Sequence, residues 1–471
     1  MILSASWVVP VSSPPIPEGA VVLSGGRIQD VGPAARILRS YPGREVRDLG
    51  EAALLPGLVN VHSHLELTLL RGYLENLGFW DWIRNLTRTK YELLTPEDLR
   101  VSSLAGACEA IRAGVTTVGD AMDLGASLDA LTDSGLRGVL YQEIFSPRPE
   151  EAGQRLADLE AKLANLEERI AAGAGRRHGC AGGRSTRIVL GVSPHAPYSV
   201  SGPLFRKVRQ WAASKSLPVC IHVAESEDES LLTEKGKGPM AEALRSRGIR
   251  WSAPECSPVQ YLDRLGVLAP GTLLVHCVRL QAADLSLLKQ SGVSVAHCPK
   301  SNWKLGHGWM DLKQVIQTGV PLGLGSDSVA SNNSMDLFEE MRFSLFNPSW
   351  FNRGAEPLAS DGAREDFAAE QALHLATLGG AEALGLSGSI GSLQTGKQAD
   401  LIAVNLAGIH TLPVFSPVTA LVHSARASDV ILTMVGGEVL FEKGSLTTLD
   451  EADLKQQIGR ILQKLKAAGP A

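Results

Sequence analysis

The 471-residue chain has no marked excess of either charge, no long apolar run and little cysteine, and each shortage closes a class of function. With 45 basic against 50 acidic residues the net charge is −5, so nothing electrostatic points to nucleic acid or an anionic membrane as partner. No apolar stretch is long enough to span a bilayer. The opening Met1 to Val11 is apolar but lacks a basic leading segment and a cleavage-site pattern, so it reads as a strand rather than a signal peptide. Six cysteines in so long a chain make no disulfide framework. Cys220, Cys277 and Cys298 fall in or beside apolar strand candidates, where buried free thiols fit a reducing cytoplasm. A Gly-X-Ser-X-Gly elbow is missing, and with it the usual signal of a serine hydrolase. The stretch Gly391 to Gln398 nearly matches a phosphate-binding loop, but Gln stands where Ser or Thr should meet Mg²⁺, and strand texture follows. It reads as a turn.

What is present is a long alternation of apolar runs and amphipathic stretches. Residues 1 to 54 read as short strands and turns, including Ala20–Leu23 and Arg27–Val31, punctuated by Gly and Pro. From residue 55 onward, strand-like runs cover 53–61, 114–120, 136–144, 187–193, 217–224, 271–277, 292–298 and 319–326. Helical periods lie between most of them, as in 150–171, where Leu156, Leu159, Leu163, Leu166 and Ile170 recur at helical spacing. Eight β/α alternations predict a parallel barrel of the TIM type, with its active site at the carboxyl ends of the strands. Residues 171–186 read as a surface loop, 228–262 as a lid or pocket wall, and 366–385 as helical. Strand texture returns at 399–404 and 430–435, and an amphipathic helix covers about 450–467. The expected architecture is α/β, a (β/α)8 barrel (55–394) inserted in a small β-sandwich domain (1–54 with 395–447), followed by a C-terminal helix (448–471).

The polar residues fall where such a barrel needs them. Six of the eleven histidines, His62, His64, His195, His222, His276 and His297, stand at predicted carboxyl ends of strands, too many to be core packing alone. Strand side chains alternate faces, so His62 and His64 can turn two imidazoles to one point. With His222 and Asp327 they make a shell of three nitrogens and one carboxylate suited to Zn²⁺ or Fe²⁺, with a position left for water. A metal in that shell would lower the pKa of its water towards about 7. Glu225, three residues past His222, can take the proton of that water and pass it on, and Asp327 could serve as base as well as ligand. His276 could orient the nucleophile or polarise the attacked group. Glu66, beside His64, reads as support for a ligand imidazole or as a salt-bridge partner.

Pro56-Gly-Leu-Val-Asn-Val-His-Ser-His64, His222-Val-Ala-Glu225, Val275-His-Cys277, His297-Cys-Pro-Lys-Ser-Asn302 and Gly325-Ser-Asp-Ser328 together resemble the amidohydrolase superfamily, in its cytosine, guanine and nucleoside deaminase and triazine hydrolase branch. The likeness runs over nearly the whole chain, including Gly396-Lys-Gln-Ala-Asp-Leu401. It implies one divalent metal per subunit, Zn or alternatively Fe, on His62, His64, His222 and Asp327, with Glu225 and His276 assisting proton transfer. The bridging lysine of binuclear members is missing from Arg187–Ser193, which agrees with a single metal. Other stretches are similar to S-adenosylhomocysteine/methylthioadenosine deaminases and to aminodeoxyfutalosine deaminases. That similarity implies hydrolytic release of ammonia from an adenine-type nucleoside, with Trp82 and His195 lining the pocket and Glu225 touching the substrate. The position of the ribose-binding Glu of the former enzymes is Tyr91 here, with Glu92 adjacent, and a tail-binding arginine is replaced by Gln142. The partner expected is a small heterocyclic substrate, and association of relatives through the barrel implies a homo-oligomer. Dechlorination of a triazine, deamination of guanine or cytosine, and opening of a cyclic amide stay open as alternatives on the same ligands, and a non-catalytic barrel is the remaining contrast.

Overall fold

The computed structural model describes residues 1–173, 187–350 and 368–469, so most of the loop expected at 171–186, and the first two residues of the helix expected at 366–385, lie outside the described residues. Eight parallel strands in chain order form one sheet: Leu58–Ser63, Val115–Met122, Arg137–Ile144, Ile188–Pro194, Val219–Val223, Thr272–His276, Ser294–His297 and Leu322–Leu324. The first and eighth meet at Ser63 and Asp327, where the Asp327 N–H donates to the His62 carbonyl (2.9 Å). Asn60 and Ser326 are bonded twice across the same seam, Nδ2 to Oγ at 2.7 Å and the Ser326 N–H to Oδ1 at 3.0 Å. The barrel is thereby nearly closed, its last gap bridged where the site will lie. Its interior is packed with Val59, Val61, Val139, Tyr141, Cys220, Val275 and Ala296, and the short helix Leu378–Ala383 adds Ala381 and Ala383 to the same cluster.

The single strand expected over 53–61 is two strands. Ala52–Pro56 belongs to a second sheet, and the barrel begins at Leu58. Gly57 stands between them because a Cβ there would come within 2.1 Å of the Thr116 side chain. The second sheet is mixed and nine-stranded. Its main path runs Ser445–Leu446, Glu438–Glu442, Val430–Val435, Leu401–Asn405, Ala52–Pro56, Ile2–Val8, Ile16–Ser24 and Arg27–Pro33, with Val46–Asp48 paired on Ile2–Val8. Leu401–Asn405 runs antiparallel to Ala52–Pro56, so the N- and C-terminal segments share one sheet around the inserted barrel. The phosphate-loop look-alike is a turn before Leu401, its Lys397 ammonium donating to Ile390 O (3.1 Å) and Ser392 Oγ (2.6 Å). The final helix spans Glu451–Ala468.

Barrel and mixed sheet are joined by a buried ion pair. Arg137, at the start of the third barrel strand, reaches both oxygens of Asp400 (2.7 and 3.1 Å), and Asp400 also accepts the Gly436 N–H (2.7 Å). Removing one partner leaves the other charge desolvated and unpaired, which costs about 3–5 kcal/mol. Asp400→Ala is expected to lower the unfolding free energy by about 3 kcal/mol, read from urea denaturation. The double change Arg137→Met, Asp400→Leu should recover most of it, and equal losses in both variants would show that the pairing is not what holds the contact.

Candidate metal centre

The first strand ends at Ser63, so His64 lies beyond it. An extra residue between Asn60 and Ser63 against Val118 and Asp120 bulges the strand, and a bulge re-aims the side chains that follow it. The two rings therefore meet edge to face, centroids 4.8 Å apart, across a broken strand rather than along a regular one. His222, at the carboxyl end of the fifth strand, joins them: its Nε2 lies 3.2 Å from His62 Nε2 and 3.3 Å from His64 Nε2. Asp327 Oδ1 lies 3.3 Å from His62 Nε2 and 3.5 Å from His64 Nε2. Its other oxygen, Oδ2, accepts from Ser301 Oγ (2.5 Å) and Ser331 Oγ (2.9 Å), which turns Oδ1 towards the imidazoles. Gly325 is needed next to this point, since a Cβ would meet His62 Cβ and Cys298 Sγ at 2.9 Å.

The donor chemistry suits a divalent cation. His222 Nδ1 lies 3.2 Å from the His195 carbonyl and as an N–H donates to it, which leaves a lone pair on Nε2 facing two further imidazole nitrogens. One proton cannot satisfy three such nitrogens and a carboxylate, whereas a cation with four ligands can. Burial pushes the His62 and His64 imidazoles below their usual range, and burial with the facing rings of His62 and His276 pushes His222 down to about 3. Burial alone would raise the Asp327 carboxyl, but the bond to His62 and the neighbouring rings hold it well below the carboxylate range. At neutral pH the four groups are thus three neutral nitrogens and one anion. Ligand atoms of His62, His64 and Asp327 all lie within 4.8 Å of one another, as do those of His62, His222 and His276.

Backbone strain collects at the same rim. Ala224, His276, Cys277 and Asp327 all have positive φ (51°, 76°, 47° and 58°), a conformation non-glycine residues hold only where the surroundings over-determine it. Through these turns Glu225 and His276 face each other, with Oε1 3.5 Å from Nε2, and His276 Nδ1 meets Asn302 Oδ1 at 2.8 Å. Burial would raise the Glu225 carboxyl, yet the imidazoles of His276, His307 and His222 bring it down to about 2. Its own N–H donates to Glu229 Oε2 (2.9 Å).

Among the residues expected to touch substrate, His195 is in the cluster: its ring is 4.7 Å from that of His222 and Nδ1 is 2.7 Å from Ser199 Oγ. Trp82 is buried on the helix Phe79–Arg88, stacked with Phe79 at 6.3 Å. Tyr91 and Gln142 stand outside the imidazole cluster, and both hold Asp123. The half-exposed Tyr91 hydroxyl donates to its carboxylate, and Gln142 Nε2 donates to its carbonyl (2.7 Å). Glu66 bonds no imidazole among the described residues; it accepts the N–H groups of Asp123, Leu124 and Ala126 and lies 3.4 Å from buried Lys90, clamping the loop after the second strand. His297 is fully buried, and among the described residues neither ring nitrogen has a partner. Residues 228–262 form helices, Glu227–Lys235, Pro239–Ser246 and Pro258–Arg264, and Leu232, Met240 and Leu244 pack on Phe79, Trp80 and Tyr198 as a wall beside the site.

Two groups escaped sequence reasoning. Glu143, at the end of the third strand, lies with a carboxylate oxygen within 4.8 Å of ring nitrogens of His195 and His222. Its place beside a strand end was the signal for it. His307 comes from the loop after the helix Pro299–Lys304, with Nε2 3.3 Å from Glu225 Oε1, and no strand-end pattern marks it. A cavity of about 510 Å³ opens past Glu143 and Phe145, lined also by Arg148, Lys162 and Arg247. The larger cavity, about 860 Å³, lies between the helices Pro96–Arg112 and Glu451–Ala468 and touches none of the imidazoles.

Residues 53–440 match the amidohydrolase family, and residues 19–43 match an imidazolonepropionase-like composite domain of bacteria. A 5-methylthioadenosine/S-adenosylhomocysteine deaminase of Nitratidesulfovibrio vulgaris is 34% identical over 446 residues, 94% of this chain and 91% of that protein. A 5'-deoxyadenosine deaminase of Methanosarcina mazei is 33% identical over 96% of this chain and 94% of its own length. Among solved structures, an adenosine deaminase from Xanthomonas campestris with bound zinc superposes with a TM-score of 0.81 at 27% identity, covering 99% of this chain and 98% of that one.

Unfolded histidines take protons near pH 6.5, but folded His222 refuses them until about pH 3, so the unfolded state binds more protons between those values. The metal-free protein is therefore expected to lose stability as pH falls from about 6.5 downward, with a urea midpoint that declines steadily between about pH 7 and pH 5. A midpoint flat over that window would count against neutral, cation-ready imidazoles.

Proposed function

Because the chain belongs to the amidohydrolase family, we propose that it is a hydrolytic deaminase that releases ammonia from an adenine-type nucleoside, of the aminodeoxyfutalosine or S-adenosylhomocysteine/methylthioadenosine class. The observation that carries this reading is an ionised Glu225 on the rim of a site where three neutral imidazoles and the Asp327 carboxylate converge. His62, His64, His222 and Asp327 would hold one zinc ion per subunit. Such an ion supplies Lewis acidity, lowering the pKa of a water from about 15.7 towards about 7.

Glu225 takes a proton from the attacking water and gives it to the ring nitrogen beside the amino-bearing carbon, so no free anion builds on the heterocycle. The water oxygen bonds to that carbon. A second proton, moved through Asp327 or Glu225, reaches the amino group, the carbon–nitrogen bond breaks, and ammonia leaves. His276 stands beside Glu225 and stabilises the developing charge. His195 hydrogen-bonds the nucleoside and Trp82 packs against it. Glu143, whose carboxyl burial pushes up to about 8, stands beside His195 and His222 and would meet the sugar there. Tyr91 and Gln142 act on the tail indirectly, by fixing Asp123 in the wall of the 510 Å³ cavity. Among the described residues five free cysteines, Cys108, Cys220, Cys256, Cys277 and Cys298, are buried, which agrees with work in a reducing cytoplasm. The active form is proposed to be a homo-oligomer.

The test is ammonia release by the zinc-loaded protein from aminodeoxyfutalosine, S-adenosylhomocysteine, methylthioadenosine and adenosine, with guanine, cytosine and a chlorotriazine as controls. Turnover of one or more of the nucleosides, and none of the controls, is expected. Glu225→Gln should keep its metal and lose at least about a thousandfold in kcat; near wild-type turnover in that variant would sink the role given to Glu225.

A further inference from the structure

His307 is held with more care than a loop histidine needs. Gly306 and Gly308 flank it at φ 74° and 96°, and its N–H donates to the Asn302 carbonyl (2.9 Å), the residue whose side chain also meets His276. The ring is 4% exposed and stands edge-on to Phe79, centroids 4.7 Å apart at 80°, while Phe79 stacks on Trp82. Nε2 lies 3.3 Å from Glu225 Oε1, close enough for a hydrogen bond that a small turn of the ring would align, and is otherwise without a polar partner among the described residues.

The same oxygen faces His276 Nε2 at 3.5 Å. His276 Nδ1 donates to Asn302 Oδ1, so a neutral His276 presents a lone pair, not an N–H, to the carboxylate. It can donate there only as the cation. No hydrogen bond is made by His307 Nδ1 among the described residues, so a neutral His307 is free to carry its proton on Nε2. Of the two imidazoles on Oε1, His307 is the one able to donate without changing charge.

We propose that His307 is a positioning residue for Glu225: as the Nε2–H tautomer it donates to Oε1 and thereby assigns the proton traffic to Oε2. The aim of the shuttle is then set from two directions, by Glu229 on its backbone and by His307 on its carboxylate. Because His307 also packs on Phe79, the helix that carries Trp82 bears on that aim. The proposal rests on the deaminase reading for what Glu225 does.

Two measurements test it. Side-chain ¹H–¹⁵N correlation spectra of the zinc-loaded, unmodified chain, assigned by their loss in His307→Phe or His307→Gln, should show His307 as the Nε2–H tautomer. In steady-state kinetics, His307→Phe keeps the ring packed on Phe79 but removes the donor. It should retain metal, lower kcat about 30- to 300-fold and leave KM within threefold, while His307→Gln, which restores an N–H, recovers at least tenfold of the loss. An Nδ1–H tautomer, an unchanged kcat in His307→Phe, or equal losses in the Phe and Gln variants would overturn it. If His307→Phe fails to fold, the tautomer, assigned through His307→Gln, decides. A wild-type chain silent on every nucleoside defeats the deaminase reading, and the tautomer still shows whether His307 donates to Glu225.

Discussion

Closure of the barrel between its first and eighth strands is the constraint on which the rest depends. The seam is made by the Asp327 N–H on the His62 carbonyl and by the pair of hydrogen bonds between Asn60 and Ser326, so the backbone that bridges the cylinder also carries two of the four converging groups. Gly325 lets the strands come that close. An open sheet would leave Asp327 at one edge and His62 at the other. Parallel strands bring their carboxyl ends to one rim only when the sheet is wrapped, which is why barrel sites lie there.

Around that rim polar groups are fixed by neighbours rather than by water. Two serines hold one oxygen of Asp327, the His195 carbonyl faces one nitrogen of His222, and Glu229 holds the Glu225 backbone. The bonds to Asp327 and His222 leave the opposite atom of each side chain free and aimed, as outer partners do for side chains that bind metal. The positive φ values at Ala224, His276, Cys277 and Asp327 belong to the same economy: local strain is tolerated where the surroundings leave no alternative. The wall formed by the helix Phe79–Arg88 and the helices between 227 and 264 stands beside this arrangement.

The barrel was legible because strand and helix periods are local properties of the chain, and the histidines were legible because barrel geometry ties chemistry to strand ends. What was hidden depends on contacts between distant segments. The break at Gly57 comes from Thr116, fifty-nine residues further on, so periodicity alone ran the strand through it. Alternation along a regular strand foresaw the meeting of His62 and His64, yet a bulge brings it about. Glu66 lies next to His64 in sequence but turns to the loop after the second strand, where three N–H groups outbid one imidazole. His307 belongs to a loop, and only the fold brings that loop to Glu225.

The order of the donors along the chain has a consequence for biosynthesis. His62 and His64 leave the ribosome early, His222 midway, and Asp327 only with the eighth strand, while the second sheet waits for Leu401–Asn405 to pair with Ala52–Pro56. A nascent chain that has reached residue 300 owns the imidazoles without the carboxylate, and its first strand has no partner on one side. The four converging donors are thereby complete only when the cylinder is, because Asp327 is the last of them to be made.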